Sequence, residues 1–246
     1  MLPPPETIAA LALVAAVAYA LFAITGFGAA LLVVPALTFV LPLPVVLPVA
    51  VLLDVAAALM LGARVGRETC WPELKRMVPL SLAGAVCGVT VLVQLPRNAS
   101  LVALAVLIAA YALYSLREGV PARRIAPGWG YVAGFTGGAM GTLFGIGAPP
   151  YVICLQRRLF GKEELRATVA TMVLFSTGMR LVVFTVAGLV LRREVLELAG
   201  WLLPAVVVGI WAGGRAHVGV SRRAVVRVMS VLLLVASVTL LSRALA

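Results

Sequence analysis

Two ionisable residues stand where ionisable residues are expensive. Asp54 lies midway along the apolar run Val45 to Ala63, and Arg180 midway along the run Ala167 to Leu191. A charge in so apolar a stretch is costly unless it is paired or used. Arg180 carries a planar fork of donors that fits an oxyanion such as a sulfonate or a carboxylate. Asp54 is the one carboxylate so placed, and it serves either as an ion-pair partner for Arg180 or as a coupling group that carries a proton. Two glycine breaks interrupt apolar runs in the same manner, Gly26-Phe27-Gly28-Ala29 and Gly145-Ile146-Gly147-Ala148. Each precedes a further apolar segment, and Pro149-Pro150 suits a first helical turn, where a missing N–H is no loss. A helix start offers free N–H groups and a positive dipole end to a small anion, and glycine leaves the approach open. The candidate substrate-binding set is therefore Gly26, Phe27, Gly28, Ala29, Gly145, Ile146, Gly147, Ala148 and Arg180, with Asp54 as coupling or ion-pair residue. The competing reading is that the glycines only let helices pack closely. Gly134/Gly138, Gly137/Gly141/Gly145 and Gly84-x3-Gly88 have the four-residue spacing such packing uses. Thr25, Thr142, Thr171, Ser176 and Thr177 add hydroxyls, most of which are expected to bond their own helix.

Other chemistry has little to work with. His217 is the sole histidine and falls in a predicted loop, and neither Gly-x-Ser-x-Gly nor His-x-x-x-His occurs. Cys70, Cys87 and Cys154 are odd in number and far apart, which fits neither a disulfide framework nor a zinc site. An enzyme is not expected, nor a cofactor or metal.

The elements that hold these residues follow from composition. Of 246 residues, 63% are hydrophobic and 12% charged, against roughly 45–50% and about 25% in soluble domains. A soluble globule of this size cannot hide that much apolar material, so the fold class is an all-α polytopic helical membrane protein in the lipid bilayer. The formal charge of +11 then reports basic loops retained in the cytoplasm, not nucleic acid. The first residues, Met1 to Glu6, lack the basic region of a signal peptide, so the apolar run after them is expected to remain.

Apolar runs extend over Ile8 to Thr25, Ala29 to Leu41, Val45 to Ala63, Met77 to Leu95 and Leu101 to Leu116. After a polar stretch, the second half repeats the plan with Trp129 to Phe144, Ala148 to Leu155, Ala167 to Leu191, Leu198 to Gly213 and Ala224 to Leu241. The two Gly-x-Gly-Ala breaks are 119 residues apart, and Pro79-x4-Gly84-x3-Gly88 recurs 125 residues on as Pro204-x4-Gly209-x3-Gly213. Residues 1–116 are read as the first repeat, 117–128 as a cytoplasmic linker, and 129–246 as the second repeat.

Charge counting sets the orientation. Loops 64–76, 117–128, 156–166 and region 214–227 carry four, three, four and four basic residues, whereas 96–99 and 192–197 carry one and two. The rich loops are assigned to the cytoplasm. Loops 117–128 and 156–166 then share a side, so residues 129–155 must enter and return, as a re-entrant hairpin or two short crossings. Each half becomes a broken hairpin plus three spans, the second half is inverted relative to the first, and both termini lie outside. Inverted-topology repeats are common in secondary transporters.

The motifs resemble a known family. Gly26-Phe27-Gly28 followed by Val34-Pro35-Ala36-Leu37 is similar to the first signature of the sulfite exporter TauE/SafE family of membrane transporters. Gly134 to Pro150 resembles the second, and Leu165-Arg166-Ala167-Thr168, then Arg180 and Gly188, resembles the segment after it. The resemblance implies a multi-pass transporter of the bacterial cytoplasmic (inner) membrane for sulfite, sulfonates or related anions. This chain has Ala29 and Ala148 where the family often has a third glycine. The expected function is a secondary transporter of a small sulfur-containing or organic anion, by alternating access, with the anion at two opposed helix N-termini. An anion channel of the same fold is the alternative. The expected partners are that anion and the lipid bilayer, with a homodimer as the assembly left open.

Overall fold

A computed structural model describes residues 3–25, 29–60, 68–94, 96–116, 125–159, 161–216, 234–235, 237–239 and 241–242. Among these residues the protein is all-helical. The helices are α1 (Pro5–Thr25), α2 (Ala29–Thr38), α3 (Leu43–Met60), α4 (Trp71–Gln94), α5 (Arg97–Leu116), α6 (Trp129–Phe144), α7 (Ala148–Gln156), α8 (Lys162–Val186) and α9 (Arg193–Ala216). Five are long and apolar enough to cross a membrane, with spans at Pro5–Ala23, Leu43–Met60, Trp71–Gln94, Glu163–Val186 and Arg193–Arg215. Helices α2 and α7, of 10 and 9 residues, are about 15 and 13 Å long at 1.5 Å per residue, roughly half of a 30 Å hydrocarbon core.

Several helices extend beyond the apolar runs, α5 among them, which starts at Arg97, inside 96–99. Helix α4 starts at Trp71, inside the loop expected over 64–76; α8 starts at Lys162, inside 156–166; and α9 starts at Arg193, inside 192–197. Hydropathy marks the stretch in lipid, whereas the helix continues into the polar interface, where Glu73, Glu163, Glu164 and Glu194 fall in first turns and suit the positive dipole end.

Packing crosses between the two halves. Helix α4 lies along α6, and α9 lies along α1. Both contacts are made backbone to backbone. Any side chain at Gly84 or Gly88 would overlap the carbonyls of Phe135 and Ala139, and one at Gly134 or Gly138 those of Met77 and Ser81. Gly209 and Gly213 meet the Ala16 and Ala20 carbonyls in the same way. These glycines therefore serve close packing. Between these pairs, α3 packs on α8 and α9, and α8 also on α4. One large apolar core draws on α1, α2, α3, α4, α5, α8 and α9. A smaller one gathers Leu74, Met77, Tyr151, Cys154, Leu155 and Met172 near the start of α4.

Candidate functional site

The second glycine break is a built turn. Helix α6 ends at Phe144, and Gly145 takes the left-handed conformation at φ 74°, its N–H donating to the Gly141 carbonyl at 3.0 Å. An L side chain is strained there, and a β-carbon would also press on Val34 of α2 at 2.8 Å. Gly147 is the N-cap of α7, with prolines in its first turn. Neither the Gly147 nor the Ala148 N–H donates to an acceptor among the described residues.

The structure places the expected residues as follows. Gly26, Phe27 and Gly28 lie outside the described residues. Ala29 opens α2 and is buried. Ala30, one residue on, would stand 3.6 Å from a β-carbon on Gly145, so the first turn of α2 adjoins the second break. The Ile146 side chain is a core residue, 2% exposed among apolar neighbours, so only its backbone is available to a ligand. Gly147 is buried against α6: a β-carbon on it would stand 2.8 Å from the Gly137 carbonyl oxygen and 3.2 Å from Gly141 Cα. Glycine at 147 is thus required by helix contact, and a larger residue there tests packing before it tests binding.

Arg180 comes to this turn from α8. Its Cδ and the Gly147 Cα both border Gly141, each 3.3 Å from where a β-carbon on Gly141 would sit. The side chain is 6% exposed, and its Nε and Nη2 make no hydrogen bond. Buried guanidinium donors nearly always have acceptors. The nearest counter-charge is Asp54 on α3, whose Oδ2 stands 3.8 Å from Arg180 Nη2, an ion pair without a hydrogen bond. Asp54 Oδ1 accepts the Tyr19 hydroxyl from α1 at 2.8 Å. An ion pair with Arg180 was one of the two roles the sequence left open for Asp54, and the sequence missed Tyr19. A tyrosine inside an apolar span is itself a signal, because a buried hydroxyl needs a partner.

A second buried cluster fixes α7. The Tyr151 hydroxyl shares hydrogen bonds with Ser81 of α4 at 2.7 Å and Ser176 of α8 at 3.3 Å. Its ring fills the space left by Gly137. Of the other hydroxyls, Thr142 bonds the Gly138 carbonyl of its own helix at 3.0 Å, as expected. Thr171 does the same to Ala167 but also meets Thr69 at 3.0 Å.

Three of the basic loops meet at one end. Glu73 Oε1 accepts Arg158 Nη2 at 2.7 Å and Arg76 Nη1 at 2.8 Å, and Arg158 Nη1 donates to the Ile125 carbonyl at 2.8 Å. The bond to Glu73 raises the Arg158 guanidinium above its usual pKa. Helix α7 runs from the turn beside Arg180 to this cluster.

Several helices long enough to span a membrane, around a broken helix and a buried arginine with two unbonded nitrogens, define the class as a multi-pass helical membrane protein. Comparison with known proteins gives the family. The sulfite exporter TauE/SafE profile matches residues 11–240, and the chain belongs to that family. It is also similar to the "Probable inner membrane transporter protein TsaS" of Comamonas testosteroni, with 31% identity over 178 residues, 71% of this chain and 73% of that protein. No solved structure matches.

Proposed function

We propose that this protein is a secondary transporter that moves a small sulfur-containing or organic anion, sulfite- or sulfonate-like, across the cytoplasmic membrane by alternating access. The observation that carries this reading is the buried Arg180 with two unbonded nitrogens beside the N-terminal turn of α7. An oxyanion there receives the guanidinium fork and the free N–H groups of Gly147 and Ala148, with the dipole of α7 behind them. The α2 start, close by at Ala30, supplies the opposed helix end. The family description and the relative's name support an anion and an inner-membrane location.

Two placements support inverted repeats. Helix α8 begins beside the start of α4, where the Cys70 N–H donates to Thr168 Oγ1 at 2.9 Å. Its counterpart α3 begins beside the other end of α4, where Leu43 and Leu92 line one cleft. The exchanged pairs α4 on α6 and α9 on α1 follow the same correspondence. The meeting of segments 64–76, 117–128 and 156–166 at Glu73 supports a common side for those loops, assigned to the cytoplasm by their charge. A C-terminal reporter active only in the cytoplasm would overturn the outward C-terminus.

Thermal-shift binding of sulfite, thiosulfate, taurine, sulfoacetate and short carboxylates tests the substrate class, and at least one sulfur oxyanion should stabilise the protein. In proteoliposomes, flux should saturate and show counterflow, whereas a channel would show none. Arg180→Gln should weaken binding by about tenfold to a hundredfold, equivalent to about 1.5–3 kcal/mol for a charge-assisted hydrogen bond. Unchanged affinity in folded R180Q would remove Arg180 from the site.

A further inference from the structure

The proposed anion site has a carboxylate beside its arginine. The Arg180 side chain is 6% exposed and that of Asp54 14%, and a carboxylate facing a guanidinium ordinarily closes on it through two parallel bonds of about 2.7–2.9 Å. Such closure would occupy the fork and leave an anion nothing to bind. The structure holds the pair apart, at 3.8 Å, with Arg180 Nε and Nη2 unbonded. The other carboxylate oxygen is taken by the Tyr19 hydroxyl at 2.8 Å. Tyr19 is wholly buried, and its ring stands edge-on to Phe22 with centroids 6.0 Å apart. Its helix is gripped by α9 on either side of it in sequence, at the Ala16 and Ala20 carbonyls. The hydroxyl is therefore a fixed point, and the carboxylate is tethered to it.

We propose that Tyr19 is a positioning residue that holds Asp54 back from Arg180, so that the guanidinium keeps its donors free for the transported anion. Asp54 then balances the buried charge of Arg180 without occupying its hydrogen bonds. This rests on the anion-site reading above and adds a residue that touches neither the arginine nor the ligand.

Tyr19→Phe removes the hydroxyl and keeps the ring. Freed from its tether, Asp54 should close on Arg180, and affinity for sulfite, read by thermal shift and isothermal titration, should fall about tenfold. Adding Asp54→Asn to Y19F should return the affinity to that of D54N alone, because the competing charge is gone. A merely structural tyrosine would give no such rescue. Unchanged affinity in Y19F, or a loss that D54N does not restore, overturns the proposal. A second measurement needs no ligand. The coupling between D54N and R180Q, read from melting temperatures in a double-mutant cycle, should be small in the wild-type background and larger in the Y19F background. Equal coupling in both backgrounds overturns the proposal even where sulfite is the wrong probe. Failure of the anion-site reading shows separately, as wild-type protein that binds no oxyanion or as R180Q that binds as well as wild type.

Discussion

Two arginine–carboxylate clusters in this molecule are built on opposite plans. At the end where α4 begins, one carboxylate oxygen of Glu73 takes Arg158 at 2.7 Å and Arg76 at 2.8 Å, and Arg158 also reaches the Ile125 carbonyl. In the interior, Arg180 stops 3.8 Å from Asp54 and keeps two nitrogens unbonded. The first cluster joins three chain segments through close bonds, although Arg158 Nε and Glu73 Oε2 stay unbonded. The second keeps its donors unused at the depth where an unused donor is most costly. The distances separate the two, since 2.7–2.8 Å bonds make a structural tie, and the 3.8 Å gap is the feature on which the proposed anion site rests.

The contrast can be broken at either cluster. Glu73→Ala should have the largest effect on stability, because it strands two arginines at a nearly dry site. A loss of roughly 2–4 kcal/mol is expected, near the value for breaking a buried pair but reduced by the partial exposure of both arginines. The melting temperature in detergent should drop by several degrees while anion affinity of the folded protein holds. A wild-type melting curve would show that the cluster ties nothing. Arg180→Gln should do the reverse, losing affinity with little change in melting. If its yield collapses instead, and the neutral pair D54N/R180Q restores it, Arg180 is only an ion-pair partner and the contrast disappears. Arg180→Lys sharpens the point: charge stays and the fork goes, so its affinity should fall between those of wild type and R180Q. The smallest effect belongs to Glu197→Gln. The Arg193–Glu197 pair is one helical turn on a solvent-facing surface, with the Arg193 side chain 91% exposed, so melting and binding should both stay unchanged.

Much of the fold was legible because lipid imposes a simple rule. Apolar runs of about 20 residues mark spans, and α1, α3, α6 and α7 lie close to the runs read for them. The break at Gly145 was legible because glycine punctuates helices, and Gly145 takes the left-handed conformation that glycine permits. Gly188, quoted in the sequence only as part of a family segment, closes α8 the same way at φ 69°, with Leu189 N–H returning to the Phe184 carbonyl at 2.9 Å. Asp54 and Arg180 stood out because each is alone in an apolar run, and an ion pair was one of the two roles left open for Asp54. Other features left no such mark. Glu73 sits in a stretch counted only for its basic residues, and its acceptor role depends on segments 85 residues apart meeting. Tyr151, Ser81 and Ser176 have no shared spacing. Gly147 has the composition of a ligand contact and of a packing contact alike, and only three-dimensional neighbours show that α6 occupies the space beside it.

The exchange of helices between the halves sets an order on biosynthesis. The face of α1 that carries the Ala16 and Ala20 carbonyls meets Gly209 and Gly213 of α9. At about 5–20 residues per second, the chain between them takes on the order of ten seconds to emerge. Through that interval α1 must sit in lipid, or beside the insertion machinery, with its closest-packing surface uncovered. Helix α4 waits in the same way, though more briefly, for α6. A ribosome stalled before Arg193 would therefore leave inserted helices without a finished protein, and quality control in the membrane would meet an exposed small-residue groove on α1 as the mark of an unfinished chain.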